Sequence, residues 1–203
     1  MLRTALILAT GLAAAGLHAA DPTPEQRFLA NPHLQQNLLT TAARSTVMLR
    51  HECKEAAYVI ADPVALAPMK FDQFGGPTAG ELKFPVAETG CGVSRQLNVR
   101  LWVEHENSIT MTPMLPGNTH ADSGLQQQAY PYVMAAAGGP EPKCTNAYIE
   151  DTKYERGSEQ NWKEVWTLSS CGWRAEVPVT FTTSPNGVKV MAGPKKSVKK
   201  LPV

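Results

Sequence analysis

Beyond residue 20 the chain contains no apolar run long enough to cross a bilayer as a helix, which takes about 20 predominantly apolar residues. It also lacks an excess of either charge: 19 Lys and Arg stand against 18 Asp and Glu. A near-neutral chain does not carry the basic field that nucleic-acid binding requires, so no nucleic-acid partner is expected. Its four cysteines, Cys53, Cys91, Cys144 and Cys171, form no C-x-x-C pair, which leaves a thioredoxin-like dithiol or a zinc ribbon without a basis. There is no G-x-S-x-G to build a nucleophile elbow. HECKE, His51 to Glu55, lacks the second histidine that a zincin helix places four residues on. The one S-x-x-K, Ser197 to Lys200, lies in a basic tail, outside the structural context that gives the motif meaning.

The first twenty residues, MLRTALILATGLAAAGLHAA, carry one positive charge at Arg3, an apolar run from Ala5 to Leu17, and small Ala19 and Ala20. That order reads as a secretory signal peptide, 1–20, and predicts a periplasmic or secreted protein with no transmembrane segment once the signal is removed. No cysteine stands near the junction to take a lipid. All four cysteines fall in the exported part, and an even count in an oxidising compartment predicts two disulfides.

The rest of the chain reads as one pattern written twice. With an offset of 91, Leu34-Gln35-Gln36 falls on Leu125-Gln126-Gln127 and Cys53 on Cys144. Further on the offset becomes 80, where Cys91-Gly92 meets Cys171-Gly172, Leu97 meets Val177, Val99 meets Val179, Leu101 meets Phe181 and Met111 meets Met191. The residues lost between the anchors come from the Pro/Gly-rich stretch ADPVALAPMKFDQFGGPTAGE, which the second copy replaces with the shorter EDTKYERGSEQN. Length changes of this kind concentrate in surface loops.

Each copy begins with a helix. Leu34, Leu38, Leu39, Ala42, Ala43, Val47 and Met48 recur at three- and four-residue steps behind an Asn31-Pro32 start. Its partner runs from about Asp122 to Ala137, with a kink or early stop expected at Pro131, because an interior proline removes a hydrogen bond. A cysteine and a short strand follow (AAYVIA, NAYIED), then a second strand (ELKFPVAE, WKEVWTLS) ending at Cys-Gly, then a third that alternates with period two. Ser184-Pro185-Asn186-Gly187 predicts the hairpin to a fourth strand.

The fold expected is α+β: two tandem similar units, 21–112 and 113–193, each a helix packed on an antiparallel sheet of three to four strands with one intra-unit disulfide. The bonds predicted are Cys53–Cys91 and Cys144–Cys171, and residues 194–203 are expected to be a disordered basic tail, able to lean on an anionic partner or simply solvated.

Trp162-Lys163-Glu164-Val165-Trp166, Cys171-Gly172 and Val177-Pro178-Val179-Thr180-Phe181 make up a W-x-E-x-W, C-G, V-x-V-x-F pattern. It resembles a signature of small uncharacterised exported proteins of Gram-negative bacteria, and the resemblance implies compartment and little else. From the residues themselves, Trp162, Trp166 and Leu168 share a strand face against the helix, with Glu164 expected to point the other way.

Candidate chemistry is sparse. His105, Met111, Met114 and His120 in EHENSITMTPMLPGNTHAD are thioether and imidazole groups that suit copper if they converge, and a hairpin with a linker if they do not. Glu81, Glu88, Glu164 and Glu176 sit on or beside strands, where solvated side chains are expected. The long first-copy loop, Asp62 to Gly80, carries Phe71 and Phe74; these, with His105 and His120, are the candidate binding residues. No cofactor is expected. The function that follows is a non-catalytic exported binding protein whose partner is another exported protein or an envelope component. The alternatives are an envelope hydrolase with its site between the lobes and a copper-handling protein.

Overall fold

The computed structural model describes residues 21–48, 53–105, 108–138, 147–158, 160–170, 172–194 and 197–201. The expected signal segment, His51, and Cys144 and Cys171 with their expected bond lie outside them. The described residues form an α+β fold with two five-stranded antiparallel sheets, each covered by a helix.

The first half opens with α1 (Pro24–Leu29), six residues too short to announce themselves by periodicity. Thr23 and Gln26 cap it reciprocally, each side chain accepting from the other's backbone N–H. Helix α2 (Pro32–Met48) follows, started as the sequence predicts: Asn31 Oδ1 accepts from the backbone N–H of His33 at 2.9 Å, and Pro32 takes the first position. Leu34, Leu38 and Ala42 turn inward and meet Leu82, Phe84, Val86, Leu97, Val99 and Leu101 from the sheet.

That sheet holds β1 (Ala57–Ile60), β2 (Val64–Phe71), β3 (Pro77–Gly90), β4 (Val93–His105) and β5 (Ser108–Met114) in the order β1-β3-β4-β5, with β2 also on β3. The expected long loop from Asp62 to Gly80 is therefore corrected: most of it is a hairpin of β2 on β3, irregular at three places in the register. Proline and glycine mark bulges and an edge strand here rather than an open loop. Cys91-Gly92 is a two-residue turn between Gly90 and Val93, with φ of 48° and 75°. Both central residues sit at positive φ, as a hairpin turn that matches strand twist demands. The Cys53–Cys91 disulfide ties this turn to the segment leaving α2, with Cα atoms 5.9 Å apart.

The second half runs through α3 (Ser123–Ala136), β6 (Tyr148–Gly157), β7 (Asn161–Ser170), β8 (Trp173–Ser184), β9 (Gly187–Ala192) and β10 (Lys199–Leu201). Asp122 caps α3 by accepting from the N–H of Leu125 at 2.8 Å. The helix continues through Pro131, so of the expected kink or early stop the stop does not occur. Pro131 and Gln127, whose carbonyl loses its helical donor, both lie on the solvent side, where water can take the missing place.

Strands β6, β7 and β8 pair in sequence, and β8 carries β9 and β10 on its other edge. Within the tail that was expected to be disordered, Lys199–Leu201 forms a strand. Lys199–Leu201 pairs with Arg174–Glu176, and Lys200 lies over the Trp173 ring while its Nζ donates to the carbonyl of Ala137 at the end of α3. A cation at a helix C-terminus is well placed against the dipole.

Two further expectations are corrected. Met111 pairs with Leu101 but Met191 with Thr180, so the two methionines are not equivalent. The irregularity between Val103 and His105 shifts the register by one residue, which exchanges faces. Glu164 does not point away from its tryptophans: residues 162, 164 and 166 are two apart, lie on the same face, and Glu164 is fully buried between them.

Candidate functional site

The segment 115–121, between β5 and α3, is where the two sheets meet. At Gly117 its backbone N–H donates to the carbonyl of Gln96 on β4 at 2.7 Å; one residue on, the N–H of Asn118 donates to Thr152 on β6 and its carbonyl accepts from Tyr154. Asn118 thereby forms a bridge to β6, and the connection laces the edge of one sheet to the edge of the other. Side chains reinforce it from both sides. Asn98, buried on β4, donates to the carbonyls of Leu115 and Gly117, and the Thr152 hydroxyl donates to that of Pro116. Gln126 of α3 clamps both ends, accepting from the N–H of Leu115 and donating to the carbonyl of Ala121. Gly117 is required by geometry: at φ +91° a Cβ would stand 2.1 Å from the carbonyl oxygen of Thr152.

Glu164 is the anchor on the second sheet. Its Oε1 accepts from the backbone of His120 (2.9 Å) and Ala121 (3.3 Å) and from Trp162 Nε1 (3.0 Å). Its Oε2 accepts from Thr119 Oγ1 (2.9 Å) and Trp166 Nε1 (2.7 Å). Strand alternation puts both indoles beside the carboxylate, and hydrogen bonds to a charged acceptor are the strong kind. From the first sheet Lys83 donates to the carbonyl of Thr119 at 3.0 Å. Burial holds its ammonium below the usual lysine range, while the charge of Glu164 pulls the other way. With no accessible surface and five donors upon it, Glu164 positions the connection rather than meeting a substrate.

A groove opens on either side of this seam. One, of about 410 Å³, is lined by Ser45, by Pro113 to Pro116, by Ser123, Gln126, Gln127 and Tyr130 of α3 and by Ala147, Tyr148 and Ile149. Its walls are mainly apolar, its polar groups few, and both halves contribute; Tyr148 of β6 packs against the first core. The other, of about 650 Å³, is polar, with Arg95, Gln96, Asn118, Glu150, Lys153 and Arg174 among its lining. There Arg174 grips Glu150 with two hydrogen bonds, of 2.8 and 3.0 Å. Arg95 pairs with the buried Glu88 at 2.6 Å.

The candidates from sequence are scattered. His105 is exposed at the end of β4, opposite Ser108. His120 lies in the connection, its ring stacked on Tyr154 at 4.1 Å and its backbone, not its imidazole, on Glu164. Met111 and Met114 face opposite sides of β5; the first lines a groove beside α2 and the second is buried at the apolar seam groove. Among the described residues no three His, Cys, Asp or Glu side chains come together as a metal site would need. Phe71 packs edge-to-face on Phe28, and Phe74 is exposed at the tip of the β2–β3 hairpin. Of the four glutamates expected in solvent, Glu88 and Glu164 are buried and Glu81 is paired with Arg100.

Residue type misled here. The W-x-E-x-W spacing places the acid on the tryptophan face, although glutamates usually point outward. Asn98, Gln96 and Lys83 left no such trace, since their partners lie 17 to 36 residues away. Compared with known proteins, the chain matches no family model, no curated protein and no solved structure.

Proposed function

We propose that this is an exported, non-catalytic binding protein, built from two similar tandem units and holding its ligand in the apolar groove at their junction. The observation that carries the reading is the groove itself: about 410 Å³, walled by both halves and mainly apolar. Sites for small molecules and apolar segments of partners have that character, and they favour the junction of two units.

The tandem relation is supported by strand register. Glu81 pairs with Trp102 and Gly90 with Val93; 80 residues on, Asn161 pairs with Thr182 and Ser170 with Trp173. Ala57 pairs with Thr89 as Tyr148 does with Ser169, which honours both offsets at once. The repeated Leu-Gln-Gln also has a shared role, because Gln35 and Gln126 each donate to a carbonyl of the segment leading into their helix.

The test is native mass spectrometry of the full-length gene product recovered from the envelope of a Gram-negative host. The reading expects a chain that lacks residues 1–20, is four hydrogens light for two disulfides, and carries one equivalent of a ligand or partner. Recovery of the uncleaved chain from the cytosol, bare and reduced, would contradict it.

A further inference from the structure

We infer that the groove between α2 and the outer edge of β5 binds an extended, acidic peptide segment of a partner protein by strand addition. The site is separate from the seam groove and stands whether or not that groove is occupied.

Strand β5 ends its sheet: β4 lies on one side and, among the described residues, no strand lies on the other. A strand so placed presents a row of unpaired N–H and C=O groups, the template on which an extended peptide docks. Over Ser108 to Thr112 alternate residues turn their N–H and C=O away from β4, before Pro113 removes a donor from the strand. The opposite edge of the sheet is a poorer template, because β2 contains Pro68 and its register shifts three times. On the second sheet, Asn118 bridges the edge of β6 at Lys153.

Beside β5 the structure leaves a groove of about 400 Å³ with α2 as its far wall. Its floor is Ile109 and Met111, which face the helix side of the sheet; Ile109 is 38 % exposed there, an apolar side chain that a partner residue would cover. The wall is one stripe of α2: His33, Asn37 and Thr41 at four-residue steps, then Arg44. Among the described residues no carboxylate lines the groove and Arg44 makes no ion pair. A strand laid along β5 points alternate side chains to one face. Its apolar residues would then sit on Ile109 and Met111, and an acidic residue would reach Arg44.

Panning a display library of random twelve-residue peptides against the mature, oxidised chain tests this, followed by synthesis of the enriched peptide with a fluorescent label. Enriched sequences are expected to alternate apolar residues and carry an Asp or Glu. Arg44→Glu, an exposed change that leaves near-UV circular dichroism intact, should weaken the labelled peptide at least about tenfold, the equivalent of 1.4 kcal/mol. N-methylation at every second peptide residue should abolish binding in one phase and spare it in the other. Amide exchange over 108–112 should slow when the peptide is bound. The proposal is overturned if nothing enriches, or if the peptide binds Arg44→Glu equally and leaves exchange in β5 unchanged. A concentration-dependent dimer that Arg44→Glu dissolves would also overturn it, by putting a second copy of the chain in the groove.

Discussion

At Glu164 the cost of taking a charge out of water is offset by five hydrogen bonds, two of them from tryptophans on its own strand. Removing the acceptor strands those donors, and a buried donor without a partner costs about 1–3 kcal/mol. Glu164→Ala is therefore expected to lower the unfolding free energy by about 3–5 kcal/mol, read from the urea midpoint, whereas Glu176→Ala, on an exposed pair, should change it by less than about 1 kcal/mol. Gly117→Ala should also be severe, since the new methyl meets the Thr152 carbonyl and the backbone must hold a positive φ. Lys83 gives a pH signature. Its folded value lies below 10.5, so between the two values the unfolded chain binds more protons, and stability rises with pH through that window. The gap between wild type and Lys83→Met should accordingly shift in favour of wild type from about pH 7 to about pH 10, measured by paired urea titrations; a flat gap would mean that the ammonium is not buried in solution.

At the scale of elements, the Cys53–Cys91 bond joins the exit of α2 to the tight turn between β3 and β4, closing a loop of 38 residues. In the chain-entropy model that restraint is worth about 4 kcal/mol. The Cys53→Ser, Cys91→Ser pair should lose stability of that order, with the α2 amides exchanging faster than those of α3. Elements were legible in the sequence where a local rule acts alone. Asn31-Pro32 and Asp122 start helices where capping chemistry says, Ser184-Pro185-Asn186-Gly187 turns a hairpin, and Leu97, Val99 and Leu101 alternate into the core. Legibility failed where a distant contact decides. Strand β2 forms from a Pro/Gly-rich stretch because β3 offers it an edge, and Lys199–Leu201 is ordered because β8 does the same. The candidate site was the least legible part: it is assembled by a connection that holds no chemical motif and draws on residues far apart in the chain.

For the molecule as a whole, the lacing at Gly117 and Asn118 makes the two cores depend on one connection. Wild type is expected to unfold in a single calorimetric transition, and Glu164→Ala, which leaves the Asn118 and Thr152 bonds to β6 in place, to unfold in one transition at a lower temperature. The junction groove owes its shape to the same contacts, since Leu115, Pro116 and Gln126 line it and also hold the seam. Binding at the junction requires that groove to be occupied. The direct measurement compares the wild type with Ala147→Trp, which fills the groove from its rim, by native mass spectrometry after gentle release from the envelope. One bound equivalent is expected on the wild type and none on Ala147→Trp, with both chains equally folded by circular dichroism. Equal occupancy in the two, or a bare wild type, would contradict this expectation.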